Sequence, residues 1–379
     1  MRMAVLLFLF QFSLSSFAEI DCIWLSYRSN EPVKIVINWE TEKPGDSVVL
    51  FGLTPELGQT VKIDESATLH HVEIPLAQRG VVYHYKVSSG SESSSVHTFR
   101  SLPTDKLRVA VVADWQDRKN LDALIKDDIH LLMTAGDNIT CLHTDCGVGV
   151  NDCVKPYSKL IRTYPRLFSS IAFMPAIGNH DREMRPRGPK PPPEPVYDVD
   201  ATAFKKFFDL PDDEWKWRFE VPEFGVRFIA LDIQHTSDMG TTWQTCHPYK
   251  KGSPQHDWYS ALMTGPQPRF VITIYNERNS SLRSQDTPPL HTLFSKGTIA
   301  ITGFGYFAER AEVDGFSYYN TSLSGKGAKY ADPKSKFFAS EDSYILMSFE
   351  SGKPQMRVEI KGLNGEVLHS MDEPHKSNS

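Results

Sequence analysis

Three short polar motifs follow predicted buried strands and could carry metal-assisted chemistry. In chain order they are Asp114, Gly136-Asp137-Asn138 and Gly178-Asn179-His180-Asp181. Because ligands of open α/β sheets bind beyond the carboxyl ends of the strands, we expect the three motifs to meet at one sheet edge. Hard metal ions prefer carboxylate and amide oxygens. Two metals that share a carboxylate can clamp a phosphate and lower the pKa of a bound water.

The strands that must position these motifs are predicted from mainly apolar runs. Residues 107–113, 129–135 and 171–177 have the composition of strands that are buried on both faces. Further strands are predicted at 226–233, 269–275 and 297–302, and helices at 120–127, 154–169, 254–263 and 288–294. This alternation predicts an α/β sheet with helices outside it. Residues 343–370 return to strands, which we expect at a sheet edge.

Residues 19–103 predict a separate all-β domain. Short strands at 33–39, 47–51, 71–74 and 81–87 are typical of a sandwich of fibronectin-III-like size. Predicted turns at Lys43-Pro-Gly-Asp46 and Ser88-Ser-Gly90 separate them. The boundary is expected at Ser101–Thr104, so that the α/β domain covers 104–372.

The N-terminus predicts export. Arg2 precedes the apolar residues 4–12, and Ser16-Phe17-Ala18 supplies small residues for cleavage after Ala18. Residues 1–18 therefore resemble a signal peptide of a secreted or periplasmic protein, with an uncleaved anchor as the alternative. No later run reaches 18 apolar residues, so no membrane span is predicted.

Composition and cysteines narrow the possibilities further. The 379 residues predict two domains, and the net charge of −6 argues against a nucleic-acid partner. In an oxidising compartment the five cysteines are expected to form disulfides, with the pairing open. A zinc cluster of Cys141, His143 and Cys146 is the alternative.

Pro186–Pro195 is proline-rich and predicts a stiff extended loop, either an exposed insertion or a rim over the site.

Taken together, the β-sandwich and the motifs D-x-x, GD and GNH[DE] resemble the purple acid phosphatases, within the calcineurin-like metallophosphoesterases. The resemblance covers about residues 33–370 and implies a metallophosphoesterase-like αββα sandwich. It implies that Asp114 binds a first metal, that Asp137 bridges two metals and that Asn179 binds the second. His180 would contact the phosphate and assist the leaving group, next to Asp181.

Several metal-ligand motifs of that family are substituted here. GD-x-x-Y has Thr140 in place of the tyrosine, and V-x-x-H ends in Tyr275 or Asn276. GH-x-H has become Gly303-Phe304-Gly305-Tyr306, so both histidines are lost. Asn276 and Tyr306 could each contribute one oxygen, but the Tyr306 phenol would have to ionise.

Two functions follow as hypotheses. The first is hydrolysis of phosphate monoesters through a reduced metal site, and the second is a catalytically inactive relative that binds a small anion or an extracellular partner. The resemblance implies a divalent or dinuclear metal cofactor (Fe, Zn, Mn or Mg), with one ion or none here.

Candidate replacement ligands are His143, His235, His247 and His256, and candidate cations in place of a metal are Arg182, Arg278 and Arg310. Three glycosylation sequons begin at Asn138, Asn279 and Asn320.

Overall fold

The computed structural model of the chain describes residues 18–116, 119–285, 290–326 and 330–375. The predicted signal peptide lies outside these residues, apart from Ala18. The first ten strands are β1 (Ala18–Glu19), β2 (Ile23–Ser26), β3 (Lys34–Gly52), β4 (Gln59–Pro75), β5 (Val82–Ser89), β6 (Glu92–Ser93), β7 (His97–Arg100), β8 (Lys106–Val112), β9 (Leu131–Ala135) and β10 (Ala172–Ala176). The later strands are β11 (Trp217–Val221), β12 (Val226–Ala230), β13 (Phe270–Tyr275), β14 (Ile299–Thr302), β15 (Ala308–Val313), β16 (Phe316–Asn320), β17 (Ser335–Ala339), β18 (Ser343–Glu350), β19 (Gln355–Gly362) and β20 (Val367–Pro374).

Short helices connect these strands. They are α1 (Asp122–Lys126), α2 (His143–Cys146), α3 (Lys155–Thr163), α4 (Pro165–Phe168), α5 (Thr202–Phe207), α6 (Pro254–Thr264), α7 (Asn279–Gln285) and α8 (His291–Phe294). Among the described residues, none of the helices combines the length and apolar composition needed to cross a bilayer.

The first sheet contains the strands that carry the three motifs. Its order β10-β9-β8-β18-β19-β20 pairs β10 with β9 and β9 with β8 in parallel. The carboxyl ends of these three strands therefore lie side by side, as the motif positions require. Strand β18 joins β8 antiparallel and β20 closes the edge, which confirms the expectation for the C-terminal strands.

The second sheet faces the first and completes the α/β architecture. Its order is β11-β12-β13-β14-β16-β15-β17, with β12, β13, β14 and β16 parallel. Phe349 of the first sheet packs against Phe228 and Phe270 of the second, with ring centroids 6.1 and 5.6 Å apart. The opposite face of β13 packs on the outer helices, where Tyr275 stacks on Phe294 at 5.3 Å. Both faces of the strands are buried, which explains their continuous apolar runs.

The N-terminal strands belong to the same hydrogen-bonded sheet as the α/β strands. Strand β2 pairs with β10 through Leu25 and Ala172, and Trp24 stacks on Phe207 of α5 at 4.1 Å. The pairing and the shared core join residues 19–103 to the rest of the chain. The fibronectin-III-like sandwich and the boundary at residue 103 therefore stay predictions.

One predicted turn is wrong. Residues 43–46 lie inside β3, which pairs with β4 on both sides of register shifts between Glu40 and Gly45 and between Gly45 and Ser47. A Pro-Gly pair marks a bulge as readily as a turn, because both need backbone that departs from regular strand geometry. The long strand bends here instead of reversing.

One disulfide is formed among the described residues, between Cys146 and Cys153. Cys22, Cys141 and Cys246 are buried free thiols. The zinc alternative for this loop has no support, because Cys146 is committed to the disulfide and the Cys141 thiol contacts the Thr144 hydroxyl.

Candidate functional site

The ends of β8, β9 and β10 bring the three predicted motifs together. The backbone N–H of Asp114 donates to the Gly136 carbonyl at 3.3 Å, and Trp115 N–H donates to the Asp137 carbonyl at 2.8 Å. Asp137 Oδ1 then accepts from the backbone N–H of His180 at 3.1 Å. Asp114 and Asp137 have φ of 52° and 56°, a left-handed conformation that is uncommon for non-glycine residues and that aspartate adopts more readily than most.

Glycines are required where the loops approach each other. A Cβ on Gly178 would lie 2.2 Å from Asp137 Oδ1, and one on Gly136 would lie 2.6 Å from the Asn276 Cβ. Neither contact is tolerable, so no larger residue fits without moving the carboxylate or the amide. The glycines of the GD and GN motifs thus set the distance between the loops.

Asp114 carries two buried oxygens with no hydrogen-bond partner among the described residues. Burial, and then the charge of Asp137, raise the pKa of Asp114 well above its usual range. The Ser322 hydroxyl and the Phe304 N–H oppose this rise in pKa, but neither forms a well-aligned hydrogen bond with the carboxyl. A carboxylate in this position needs a proton or a cation.

Asn276 occupies the end of β13 and presents a third unsatisfied oxygen. Its Nδ2 donates to the Ala135 carbonyl at 2.7 Å, whereas its Oδ1 has no partner in the described part of the chain. The side chain is fully buried next to Gly136. Asn276 therefore presents a neutral oxygen at one of the two positions, Tyr275 or Asn276, where the family resemblance implies an imidazole.

The site contains a cation that the sequence analysis missed. Arg187, from the proline-rich segment, donates from Nη2 to Nε2 of His180 at 2.8 Å. With the Asn179 amide oriented to satisfy its neighbours, its oxygen accepts from the same Nη2 at 3.0 Å. Arg187 Nε donates to Glu183 Oε2 at 2.9 Å, which fixes the guanidinium. The proline-rich segment is thus a rim of the site, the second of its two predicted placements.

The contacts of His180 define its tautomer. Its Nδ1 lies within hydrogen-bonding distance of the Thr140 carbonyl, which can only accept. Its Nε2 faces Arg187, which can only donate. These contacts place a proton on Nδ1 and make Nε2 the acceptor from Arg187, so Nε2 has no proton to give to a leaving group in this arrangement.

Asp181 holds the second and third motifs together. Its carboxyl accepts from Gly178 N–H at 2.8 Å, and from the backbone N–H and the Nδ2 of Asn138 at 3.1 and 3.0 Å. Burial, assisted by the charge of Asp137, raises the pKa of Asp181 to about 8. Through these contacts, the Asp181 carboxyl positions the loops that carry the GD and GNHD motifs.

The residues in place of the lost histidines do not restore an imidazole. Phe304 packs edge-on against the ring of His235 at 5.2 Å. Tyr306 is 39% exposed, and burial together with the charges of Asp114 and Asp137 raises the pKa of its phenol. The phenol is therefore protonated in the metal-free site.

These residues do not fit a dinuclear metal centre. Within the described ranges, no three or more histidine, cysteine, aspartate or glutamate side chains are grouped so that they could hold a metal ion. The guanidinium of Arg187 lies against Asn179, the residue expected to hold the second metal. The unpartnered oxygens of Asp114 and Asn276, with Asp137 close by, fit at most one hard cation that accepts oxygen ligands.

The three arginines predicted as cations have other partners. Arg182 is fully buried and donates to Asp232 at 2.9 Å. Arg310 pairs with Glu312 at 2.8 Å, and the Arg278 guanidinium lies 5.0 Å from the ring centroid of Tyr330. Arg278 nevertheless lies near the site, because a Cβ on Gly305 would be 2.9 Å from its Cδ. A role of these three arginines as cations in place of a metal stays a prediction.

Three of the candidate replacement histidines have local partners. His143 faces Glu183 at 3.5 Å, His247 faces Asp232 at 2.7 Å and His256 faces Asp257 at 3.1 Å. His235 packs against Phe304, and its buried Nε2 has no hydrogen-bond partner among the described residues. Burial lowers the pKa of His235 to about 4. The His235 imidazole is neutral at physiological pH.

The asparagines of the three predicted glycosylation sequons, Asn138, Asn279 and Asn320, are all buried.

Comparisons with known proteins identify the fold. No family model matches the chain, and neither does any curated protein. Among solved structures, purple acid phosphatase PPD1 from yellow lupin (Lupinus luteus) seeds is similar at a TM-score of 0.70 and 14% identity, covering 94% of this chain and 74% of that one. The structure of PhoD is similar at 0.64 and 12% identity, covering 95% and 90%. At these identities the likeness establishes an α/β metallophosphoesterase-like fold.

Proposed function

We propose that the protein binds a phosphate ester or another small oxyanion at this sheet edge and does not hydrolyse it by two-metal catalysis. One observation carries the proposal: the Arg187 guanidinium contacts both Asn179 and His180. A fixed positive charge thus lies where the family resemblance puts the second metal. We further propose that the predicted signal peptide makes this an exported binding protein.

The guanidinium is prepared to receive an anion. Glu183, Asn179 and His180 engage its Nε and Nη2, which orients the plane of the group. The N–H groups of Nη1 have no hydrogen-bond partner recorded among the described residues, and the side chain is 35% exposed. Guanidinium groups recognise phosphate and carboxylate through paired N–H bonds, so the remaining donors of Arg187 suit an oxyanion.

A single hard cation would complement this arrangement. Asp114, Asp137 and Asn276 would hold it through oxygens, and it would supply positive charge for a phosphoryl oxygen. His180 does not act as the general acid in this arrangement, because it has its proton on Nδ1, facing the Thr140 carbonyl. Binding is therefore expected without efficient release of a leaving group.

A second function is favoured by the unpartnered oxygens of Asp114. If they hold an ion that activates a water, the protein hydrolyses phosphate monoesters through a reduced metal site. If this function is correct, replacing Asp137 abolishes turnover.

The test uses protein purified from its exported form. Metal content, p-nitrophenyl phosphate turnover and calorimetric binding of inorganic phosphate are measured on one sample, with Asp137→Asn as the control. We expect phosphate binding, no more than one ion per chain, and no turnover above that of the variant. Turnover that Asp137→Asn abolishes would establish the hydrolase instead. Absence of phosphate binding with and without Mg²⁺ would contradict the binding function.

A further inference from the structure

A segment that is closed by a disulfide lies against the residues that hold Arg187. It runs from Cys141 to Cys153, contains α2 and is closed by the bond between Cys146 and Cys153. We call it the disulfide segment. It directly follows Thr140, whose carbonyl is the partner of His180 Nδ1. None of the functions proposed above gives this segment a role.

The backbone of the disulfide segment is hydrogen-bonded to the chain just before Arg187. The N–H of Leu142 donates to the Glu183 carbonyl at 2.9 Å, and the N–H of Gly149 donates to the Met184 carbonyl at 2.8 Å. Gly149 has a φ of 85°, which glycine adopts without strain. The segment therefore fixes the path of the main chain that leads to Arg187.

The Glu183 carboxylate connects the disulfide segment to the guanidinium. Its Oε1 lies 3.5 Å from Nε2 of His143, and its Oε2 accepts from Arg187 Nε at 2.9 Å. The Glu183 side chain is only 8% exposed. Because a single buried carboxylate contacts both neighbours, a displacement of His143 or of the Glu183 backbone is transmitted to Arg187.

Burial contributes little to holding the disulfide segment in place. None of residues 143–155 is buried, and Val148 is 61% exposed. Such a segment gains little hydrophobic energy to offset the conformational entropy that it loses when it is ordered. A disulfide reduces that entropy loss by restricting the unfolded chain. The Cys146–Cys153 bond is therefore expected to be a main cause of the order of this segment.

We propose that the disulfide segment positions Arg187 through Glu183, so that the oxyanion site reaches its full affinity only when Cys146 and Cys153 are bonded. The inference rests on the proposed oxyanion binding. His143 and Glu183 are positioning residues in it, because they act through Arg187. In a reducing environment the site is weaker, and export to an oxidising compartment strengthens it.

The test measures the calorimetric Kd for inorganic phosphate before and after reduction by dithiothreitol. This dithiol transfers two electrons and two protons to the bond, which yields two thiols and the cyclic disulfide of the reagent. Thiol titration in denaturant should rise from three to five thiols per chain. We expect the Kd to rise about two- to tenfold, because Arg187 must then be ordered during binding. Equal Kd values in the two states would overturn the inference.

Two variants distinguish positioning of Arg187 from a general loosening of the fold. The double variant Cys146→Ser, Cys153→Ser should have the Kd of the reduced parent and should not respond to dithiothreitol. Arg187→Gln should not respond either, because the positioned group is gone. A rise in Kd of the same size in Arg187→Gln would show that the disulfide acts by another route and would overturn the inference.

A single variant keeps the inference testable if loss of the disulfide unfolds the chain, which near-ultraviolet circular dichroism detects. His143→Leu leaves the disulfide intact and removes the imidazole beside Glu183. It should raise the phosphate Kd about twofold or more. His97→Leu is the matched control, because His97 is also half-buried but lies on β7. An unchanged Kd in His143→Leu would then overturn the inference.

The outcomes separate failure of the inference from failure of the proposed function. An oxidised parent that binds phosphate no better than the reduced parent leaves the oxyanion site standing and rejects the positioning role. An oxidised parent that does not bind phosphate, with and without Mg²⁺, rejects the oxyanion site and the inference with it.

Discussion

Nη2 of Arg187 lies 2.8 Å from Nε2 of His180. Arg187 is seven positions after His180 in the chain, and the proline-rich segment brings the arginine back over the GNHD motif. The contact places a permanent cation against the imidazole that the family resemblance assigns to phosphate and leaving group. This one contact sets the tautomer of His180 and places the charge of Arg187 where we propose that the anion binds.

Replacing Arg187 should weaken phosphate binding. Arg187→Gln keeps a donor but removes the charge, and charge-assisted hydrogen bonds contribute about 1.5–3 kcal/mol. We expect a roughly tenfold or greater rise in the calorimetric Kd for inorganic phosphate. Arg185→Gln is the matched control, because Arg185 lies two residues before Arg187 with a 34% exposed side chain against 35% for Arg187. Equal losses in the two variants would count against a specific role of Arg187.

Arg182 should act on stability instead. It is paired with Asp232, and both side chains are fully buried. Burial raises the pKa of Asp232, but Arg182 and His247 outweigh burial and hold it below the usual value. Arg182→Met leaves that carboxylate without its partner, which costs about 3–5 kcal/mol for a buried pair.

The measurement for Arg182→Met is the free energy of unfolding in urea at pH 7. Adding Asp232→Asn should recover part of the loss, because the uncompensated charge is then gone. A loss below about 1 kcal/mol in the single variant would show that Asp232 is satisfied by its other partners.

Asp114 and Asp181 should make the metal-free protein less stable as the pH rises. Burial, then the charge of Asp137, raise the pKa of Asp181 from 3.8 to about 8, and that of Asp114 well above 3.8. Between pH 3.8 and 8 these two carboxyls therefore hold more protons in the folded state than in the unfolded chain. Each such group removes up to about 1.4 kcal/mol of stability per pH unit in its window. Buried histidines such as His70 and His235, whose pKa is lowered to about 4, act in the opposite direction up to pH 6.5.

Urea unfolding in EDTA at pH 5, 6, 7 and 8 is therefore compared between the parent and Asp114→Asn. The free energy of unfolding of the parent should fall relative to that of Asp114→Asn as the pH rises, because the amide does not ionise and the histidines are the same in both proteins. Mg²⁺ or Mn²⁺ added at pH 8 should restore stability in the parent and not in Asp114→Asn. A parent that gains stability relative to Asp114→Asn as the pH rises would contradict the direction given for Asp114.

Local composition was sufficient to predict the strands that carry the motifs. Strands β8, β9 and β10 are apolar on both faces, so their runs are continuous and end where polar residues begin. Parallel pairing then brings Asp114, Asp137 and Asn179 to one edge. Local composition gave a wrong prediction at residues 43–46, where a turn was expected. The bend of β3 there depends on its partner β4 and not on the Pro-Gly pair alone.

Arg187 could not be identified in this way. Its segment contains no regular strand or helix among the described residues, and its path is set by tertiary contacts. Lys190 pairs with Asp238 at 2.7 Å, and the Thr242 hydroxyl donates to the Pro192 carbonyl at 2.9 Å. The sequence offered only a weak indication of Arg187, namely that basic residues occur in a proline-rich segment soon after the GNHD motif.

Restoring the lost histidines should restore metal binding only when Arg187 is also removed. Phe304→His and Tyr306→His return two imidazoles beside Asp114, Asp137 and Asn179. Both positions have left-handed φ, 76° and 61°, which histidine tolerates at least as well as phenylalanine or tyrosine. A guanidinium against Asn179 repels a dication, so the double variant should hold less metal than the triple variant that adds Arg187→Leu.

Metal content after dialysis against Mn²⁺ or Zn²⁺ measures this difference, with p-nitrophenyl phosphate turnover as the second readout. We expect the triple variant to gain at least one equivalent of metal over the parent, and the double variant to gain little. Arg185→Leu in place of Arg187→Leu controls for the loss of a positive charge two residues away. If the double variant binds as much metal as the triple variant, Arg187 does not occupy a metal position. If neither binds metal, the loss of metal binding lies in the loop geometry and not in the arginine.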